Sequence, residues 1–144
     1  PHDANEPVGY AITTDMHKIA ITTDLGRITP EVTEHFANSD IIVIESNHDI
    51  YMLENGPYPE HLKQRIKSDF GHLSNVACGV FLSDACAPNT KHIFLAHLSE
   101  DNNRPSVAFD TVKNILLSKK IDVETSIKLH IADRHRPSPL IQLV

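Results

Sequence analysis

The chain has 144 residues, of which 40% are hydrophobic, and a formal net charge of −6 at pH 7. This length predicts one domain with a hydrophobic core, and no apolar run approaches the ~18 residues of a membrane-spanning helix. The acidic balance excludes a protein that wraps nucleic acid through a broad basic surface, but it is compatible with a phosphodiester bound through metal ions.

The cysteines indicate the redox environment of the protein, and the first residue indicates how the chain begins. Cys78 and Cys86 lie eight residues apart in a predicted helix, which places them two turns from each other and beyond disulfide reach. We interpret them as thiols of a reduced, cytoplasmic protein. Because residue 1 is Pro rather than Met, we also expect a processed or truncated chain.

The first part of the chain predicts a hairpin and a helix. Val8–Thr13 and Lys18–Thr23 are β-rich runs separated by a short polar segment, which is typical of an antiparallel hairpin. The Thr-Pro-Glu sequence at residues 29–31 combines an N-cap, a proline at the first helical position and an acid in the first turn. It predicts a helix over 30–37.

The middle of the chain predicts a buried strand followed by three helices. Residues 41–44 are apolar without alternation, so we expect the strand 40–46 to be covered on both faces. Helices are predicted over 49–55 and 59–69, the latter with a basic outer face. A further helix follows Ser74, with an apolar face of Val76, Val80, Phe81 and Ala85.

The last part predicts a second buried strand over 91–97, a helix that begins at Pro105, and strands over 127–131 and 140–144. The fold class is therefore α/β, a mixed sheet with helices mainly on one face. One layer of helices covers only one face of a sheet. Since two strands are expected to be buried on both faces, a missing half or a second copy should cover the other face.

Polar residues follow the predicted strands, at the ends where ligands bind in an open α/β sheet. Asp24 follows the second strand, Glu45 ends the strand 40–46, and His97 ends the strand 91–97. Taken alone, the tetrapeptide around Asp24 favours a turn-forming aspartate, and His72 also fits a loop histidine bonded to a nearby carbonyl. The basic face of the helix 59–69 favours a solvated surface over a nucleic-acid contact.

Five segments, in this order and spacing, resemble the carboxy-terminal half of a metallo-β-lactamase-fold hydrolase: His2-Asp3, the strand-ending Asp24, Glu45-Ser46-Asn47-His48-Asp49, Gly71-His72-Leu73-Ser74 and Ala96-His97-Leu98-Ser99. The chain is similar to the YycJ/WalJ-like branch, bacterial proteins regarded as nucleases and distantly related to ribonuclease Z. The likeness spans essentially the whole chain. It implies that residues 1–144 form a single domain, half of an αββα sandwich.

The resemblance also implies a dinuclear metal centre. In this family the ions are held by an amino-terminal His-x-His-x-Asp-His cluster, a later histidine, a bridging aspartate and a final histidine. His2, Asp24 and His97 match the last three ligands, and the His-x-His-x-Asp-His cluster is absent from this sequence. Imidazoles with a bridging carboxylate suit Zn²⁺ or Mn²⁺, and two such ions would activate a shared water and clamp a phosphoryl oxygen.

Glu45 and His72 resemble a catalytic glutamate–histidine pair in which the histidine protonates the leaving oxygen and the glutamate orients it. His48 would be a further substrate group or a group that orients the site, and Arg104 a phosphate contact.

The hypothesis is half of a metal-dependent phosphodiesterase, most simply a nuclease. Its substrate would be nucleic acid or another phosphodiester, and its partner the amino-terminal half or a second copy in a homo-oligomer. The alternatives are a hydrolase of small esters or thioesters and a non-catalytic binding or assembly module.

Overall fold

A five-stranded mixed sheet forms the centre of the protein, for which a computed structural model describes residues 1–143. The strands lie in the order in which they occur along the chain: β1 (Tyr10–Thr13), β2 (Lys18–Thr22), β3 (Ile41–Glu45), β4 (His92–Ala96) and β5 (Lys128–Ile131). β1 and β2 form the predicted antiparallel hairpin, and every other neighbouring pair is parallel. The carboxyl ends of β2 to β5 therefore lie at one edge of the sheet.

Five helices connect the strands: α1 (Pro30–Phe36), α2 (Ile50–Asn55), α3 (Glu60–Lys67), α4 (Asn75–Ala85) and α5 (Pro105–Ser118). Three of them begin at a polar side chain that accepts a hydrogen bond from the first turn, namely Thr29, Asp49 and Ser74. The predicted order of elements is confirmed as far as β5. Within residues 1–143 every helix is too short or not apolar enough to span a bilayer.

The predicted strand over 140–144 is wrong for residues 140–143, which have no regular secondary structure; residue 144 lies outside the described residues. Two prolines, Pro137 and Pro139, precede this segment, and proline supplies no main-chain N–H to a neighbouring strand. Leu140 is 96% exposed, so no packing partner compensates for the missing hydrogen bonds.

The helix α4 buries only part of the predicted apolar face. Val76 and Val80 are 43% and 51% exposed, whereas Leu82 is fully buried and the other two predicted positions are buried as expected. Gly79 lies so close to α5 that a Cβ there would be 2.8 Å from Cδ1 of Ile115. The prediction was wrong because α4 is apolar on most sides, and the approach of α5 decides which side is buried.

The helices α4 and α5 cover one face of the sheet, as predicted. The strand residues of that face are fully buried, and they form a single core with side chains of the two helices: Ala20, Ile42, Ile44, Ile93 and Leu95 from the sheet, and Leu82, Val112 and Leu116 from the helices. Removal of this apolar surface from water is the main stabilising term of the fold.

The opposite face of the sheet, which we call the second face, is also apolar. Apolar side chains on this face pair across neighbouring strands. Ile12 of β1 pairs with Ile19 of β2, Ile21 of β2 with Val43 of β3, and Val43 with Phe94 of β4. Ile12 is 51% exposed, and the next three residues are half-buried. The second face thus retains apolar surface that is in contact with water in the isolated chain.

We expect the isolated chain to self-associate or to be unstable, because burial of the second face would remove apolar surface worth about 25 cal/mol per Å². Sedimentation velocity should show a dimer or larger species. Replacing Ile12 with Lys should shift the population toward monomer. Replacing Leu117 with Lys is the control, since Leu117 is 44% exposed on α5 and remote from the second face. A stable monomer of the unmodified chain would contradict this prediction.

Candidate metal and catalytic site

The predicted metal and catalytic residues come together at the carboxyl edge of the sheet. Asp24 follows β2, Glu45 ends β3 and His97 follows β4. His72 lies in the loop between α3 and α4, and His2 in the segment before β1. One ligand atom from each of Asp24, Glu45, His72 and His97 lies within 4.8 Å of the others.

Asp24 lies among three imidazole rings. Its Oδ1 is 3.7 Å from Nε2 of His2, 3.8 Å from Nδ1 of His97 and 3.9 Å from Nδ1 of His72. These separations are too long for hydrogen bonds. They are slightly wider than the roughly 3.4 Å that separates tetrahedral ligands when each bond to Zn²⁺ is about 2.1 Å. Of these nitrogens, Nε2 of His2 is spaced from the carboxylate as two ligands of one divalent cation are, whereas Nδ1 of His72 and Nδ1 of His97 are hydrogen-bonded to Glu45.

The loop before α4 positions two of these rings. The His72 main-chain N–H donates to the carbonyl of Ile66, and Gly71 lies so close to the main chain of α3 that no Cβ fits there. The carbonyl of Gly71 accepts a hydrogen bond of 2.8 Å from Nδ1 of His2. Because a carbonyl only accepts, Nδ1 of His2 carries a proton, and Nε2 is the nitrogen that faces the carboxylates of Asp3 at 3.3 Å and Asp24 at 3.7 Å.

Two site residues have left-handed backbone conformations. Asp24 has a φ of 57° and His97 a φ of 55°, each directly beyond the strand that delivers it or one residue later. For residues with a side chain this region is costly, and such conformations cluster at functional sites. The main chain thus changes direction at Asp24 after β2 and at His97 after β4, so both candidate ligands lie at sharp turns.

The Glu45 carboxylate is fully buried and accepts four hydrogen bonds. Its Oε1 accepts from Nδ1 of His72 at 2.8 Å and from Nδ1 of His97 at 2.6 Å. Its Oε2 accepts from the main-chain N–H groups of Leu25 and Leu73 at 2.9 and 3.1 Å. Burial alone would raise the pKa of Glu45, but these four donors outweigh burial and lower it to about 2.

The ionised Glu45 determines the tautomers of its two histidines. A carboxylate only accepts hydrogen bonds, so Nδ1 of both His72 and His97 must carry a proton. The hydrogen bond to Glu45 also raises the pKa of His97, although burial opposes this. In the neutral form of either ring, Nε2 is the atom with the free lone pair. This carboxylate–histidine arrangement is common behind metal-bound imidazoles.

Buried amides support the edge from below, and the sequence analysis assigned them no role. Asn103 donates from Nδ2 to the carbonyls of Ser46 and Asn47, each at 2.9 Å. Ser46 donates to Oδ1 of Asn75 at 2.7 Å, and Asn47 donates to the carbonyl of His97 at 2.9 Å. Asn47 and Asn103 follow β3 and β4 in the sequence, which could have indicated a role for them. Which groups they bond to could not be predicted, because the hydrogen bonds join segments that are distant in sequence.

The remaining two predicted residues occupy different surroundings. His48 is 2% exposed, and burial lowers its pKa to about 4, so its imidazole lies beneath the surface of the described chain. Arg104 is exposed, and its NH1 donates to the carbonyls of Glu100 and Asn103 at 3.1 and 2.6 Å. Arg104 shares with His97 a surface cavity of about 600 Å³.

The chain is similar to two bacterial proteins over almost its whole length. It is 37% identical to exodeoxyribonuclease YycJ of Bacillus anthracis over 139 residues, which cover 96% of this chain and 53% of that protein. It is 34% identical to exodeoxyribonuclease WalJ of Streptococcus pneumoniae over 142 residues, which cover 99% of this chain and 53% of that protein. No family model matches the chain.

A solved structure gives the fold. The protein YhfI of Bacillus subtilis, described as a metallo-β-lactamase-fold protein, superposes with a TM-score of 0.57 and 18% identity. The match covers 86% of this chain and 40% of that chain. Over the matched residues the chain therefore has the fold of part of a metallo-β-lactamase-fold protein. The predicted fold class and the resemblance to the YycJ/WalJ-like branch are confirmed, and the chain spans about half the length of the curated relatives it matches.

Replacing Glu45 with Gln should destabilise the protein by about 2–3 kcal/mol even without metal, because a buried glutamine offers one acceptor oxygen to the four donors that the carboxylate now satisfies. Chemical denaturation in a chelator measures this loss. Glu54→Gln is the matched control, because the Glu54 carboxylate is exposed and takes part only in a surface ion pair with Lys67, at 3.6 Å, within the described residues. Such surface pairs contribute little to stability. Equal stability of the two variants would show that the Glu45 carboxylate does not hold the edge together.

Proposed function

We propose that the full-length protein is a metal-dependent phosphodiesterase that cleaves DNA. The observation that carries the proposal is that Asp24, His2 and His97 lie together at the carboxyl edge of the sheet, beside the hydrogen-bonded pair Glu45–His72. The names of the YycJ and WalJ relatives, which specify an exodeoxyribonuclease, support DNA as the substrate class.

The residues present fit a divalent metal. We assign His2, Asp24 and His97 as the residues that would hold metal, since imidazole with carboxylate suits Zn²⁺ or Mn²⁺. Ions bound there would supply a water of lowered pKa and polarise a phosphoryl oxygen. We further propose that residues 1–144 are the carboxy-terminal half of the domain, and that the amino-terminal half completes two metal sites and covers the second face.

His72 is the group that we place against the leaving oxygen. Glu45 holds its Nδ1–H at 2.8 Å, which fixes the ring at the edge of the Asp24 cluster. When the ring is doubly protonated, Nδ1–H stays bonded to Glu45 and Nε2–H can be donated as the P–O bond breaks. Glu45 is then a positioning residue, which acts on the reaction through His72.

The isolated chain should bind fewer than two tightly held ions. Its candidate ligands are three of those that the family uses, and Glu45 is already occupied by four donors. Elemental analysis after dialysis against metal-free buffer measures the content, and Asp24→Asn should reduce it further. Two ions retained per isolated chain would contradict the assigned ligand set.

In the full-length protein, His72→Ala should lower turnover of an oligonucleotide by roughly 10²–10⁴-fold, the usual contribution of a general acid. Metal content should persist, because His72 is outside the assigned ligand set. Asp24→Ala should remove both metal and activity. Turnover and bound metal are measured side by side, with His61→Ala as a control at an exposed histidine.

A substrate with a nitrophenolate leaving group separates acid catalysis from other roles of His72. That group departs without protonation, so bis(p-nitrophenyl) phosphate hydrolysis should be much less sensitive to His72→Ala. Equal losses on both substrates, or loss of metal on replacing His72, would falsify the general-acid role.

A further inference from the structure

Two segments enclose a cavity beside the candidate site. Residues 97–104 follow β4 and residues 132–136 follow β5, and since β4 and β5 are parallel neighbours, both segments leave the same edge of the sheet. The cavity between them has a volume of about 600 Å³, within the usual ~300–1,000 Å³ of ligand sites. Its lining includes His97, Ser99, Arg104, Arg134 and His135. We call it the Arg134 cavity.

Arg134 also lines a second, smaller cavity that adjoins the first. This cavity has a volume of about 340 Å³ and is lined by Tyr58, Arg65 and His72 among others. His97, Glu100 and Arg134 line both cavities. A ligand in either cavity would therefore lie beside the guanidinium of Arg134.

The guanidinium of Arg134 is anchored next to the site. Its NH2 donates to the carbonyl of Leu98, one residue beyond His97, at 3.0 Å. Its NH1 lies 3.6 Å from Oε2 of Glu100, which is outside hydrogen-bond distance, and its side chain is 53% exposed. A guanidinium has five N–H donors, and within residues 1–143 Arg134 uses one of them. The others remain available to a ligand.

The loop that carries Arg134 is built around Asp133. Its Oδ1 accepts hydrogen bonds from the main-chain N–H groups of His135 and Arg136, at 2.8 and 3.0 Å. Its Oδ2 accepts from the guanidinium of Arg136 at 3.1 Å. Arg136 is therefore paired with a carboxylate of its own loop, and its side chain is 82% exposed. It provides a natural comparison for Arg134.

We propose that Arg134 binds a backbone phosphate next to the scissile one, and that the Arg134 cavity holds the flanking nucleotides of the strand. The inference rests on the nuclease function proposed above. A guanidinium matches phosphate oxygens with paired hydrogen bonds, and the phosphate would displace the long contact with Glu100. Because the chain carries a net charge of −6, the few cations that face the site decide where a polyanion approaches.

The test is equilibrium binding of a labelled single-stranded oligodeoxynucleotide to the full-length protein, in a chelator so that no strand is cut, over a series of salt concentrations. Arg134→Ala should weaken binding and reduce the slope of log Kd against log salt by about 0.7, the value for one phosphate contact on a single strand. Arg134→Lys keeps the charge and should keep the slope. Arg136→Ala should bind as the unmodified protein does.

An unchanged slope in Arg134→Ala, an equal loss in Arg136→Ala or a reduced slope in Arg134→Lys would each overturn the proposal. With metal present, the loss in Arg134→Ala should appear in KM for the oligonucleotide rather than in kcat. A protein that binds through Arg134 but hydrolyses no phosphodiester overturns the nuclease function and retains this site. A protein that hydrolyses the oligonucleotide with the same KM after Arg134→Ala overturns the site alone.

Discussion

The buried carboxylate of Glu45 is the interaction on which the edge of the sheet depends. An isolated buried charge would be prohibitively costly, and four donors from the segments after β2, before α4 and after β4 offset that cost. Since the folded-state pKa is about 2, this stabilisation is present above the ordinary glutamate pKa of about 4.3 and is lost as pH falls through the folded value. The same hydrogen bonds orient His72 and His97. The stability of the fold and the geometry of the site therefore both depend on the Glu45 carboxylate.

The carboxyl edge of the sheet carries both anionic groups and a cationic group. Asp24 and Glu45 place negative charge among the imidazoles, which suits a cation. Arg134 lines the same cavity as His97, and within residues 1–143 its guanidinium donates one hydrogen bond, to the carbonyl of Leu98, which suits an anion. A phosphodiester needs both, because its central oxygens must be neutralised while its neighbouring phosphates are held in place.

Much of this arrangement could be predicted from the sequence. Uninterrupted apolar runs located β3 and β4, so Glu45 and His97 were correctly expected at strand ends, and the Thr29 cap located α1. The buried face of α4 could not be predicted, because its residues are apolar on most sides. Arg134 was missed since it follows β5 in a loop without periodicity, and its relation to His97 exists only once β4 and β5 pair.

The strand order carries a consequence for the chirality of the chain. A connection between parallel strands is right-handed in about 98% of cases, and connections that all step in one direction place their helices on one side. Here β2 to β5 are laid down in sequence without reversal. The exposure of Ile12 and the half-buried side chains of the second face thus follow from winding rather than from composition. A single reversal of direction would have moved a helix across the sheet.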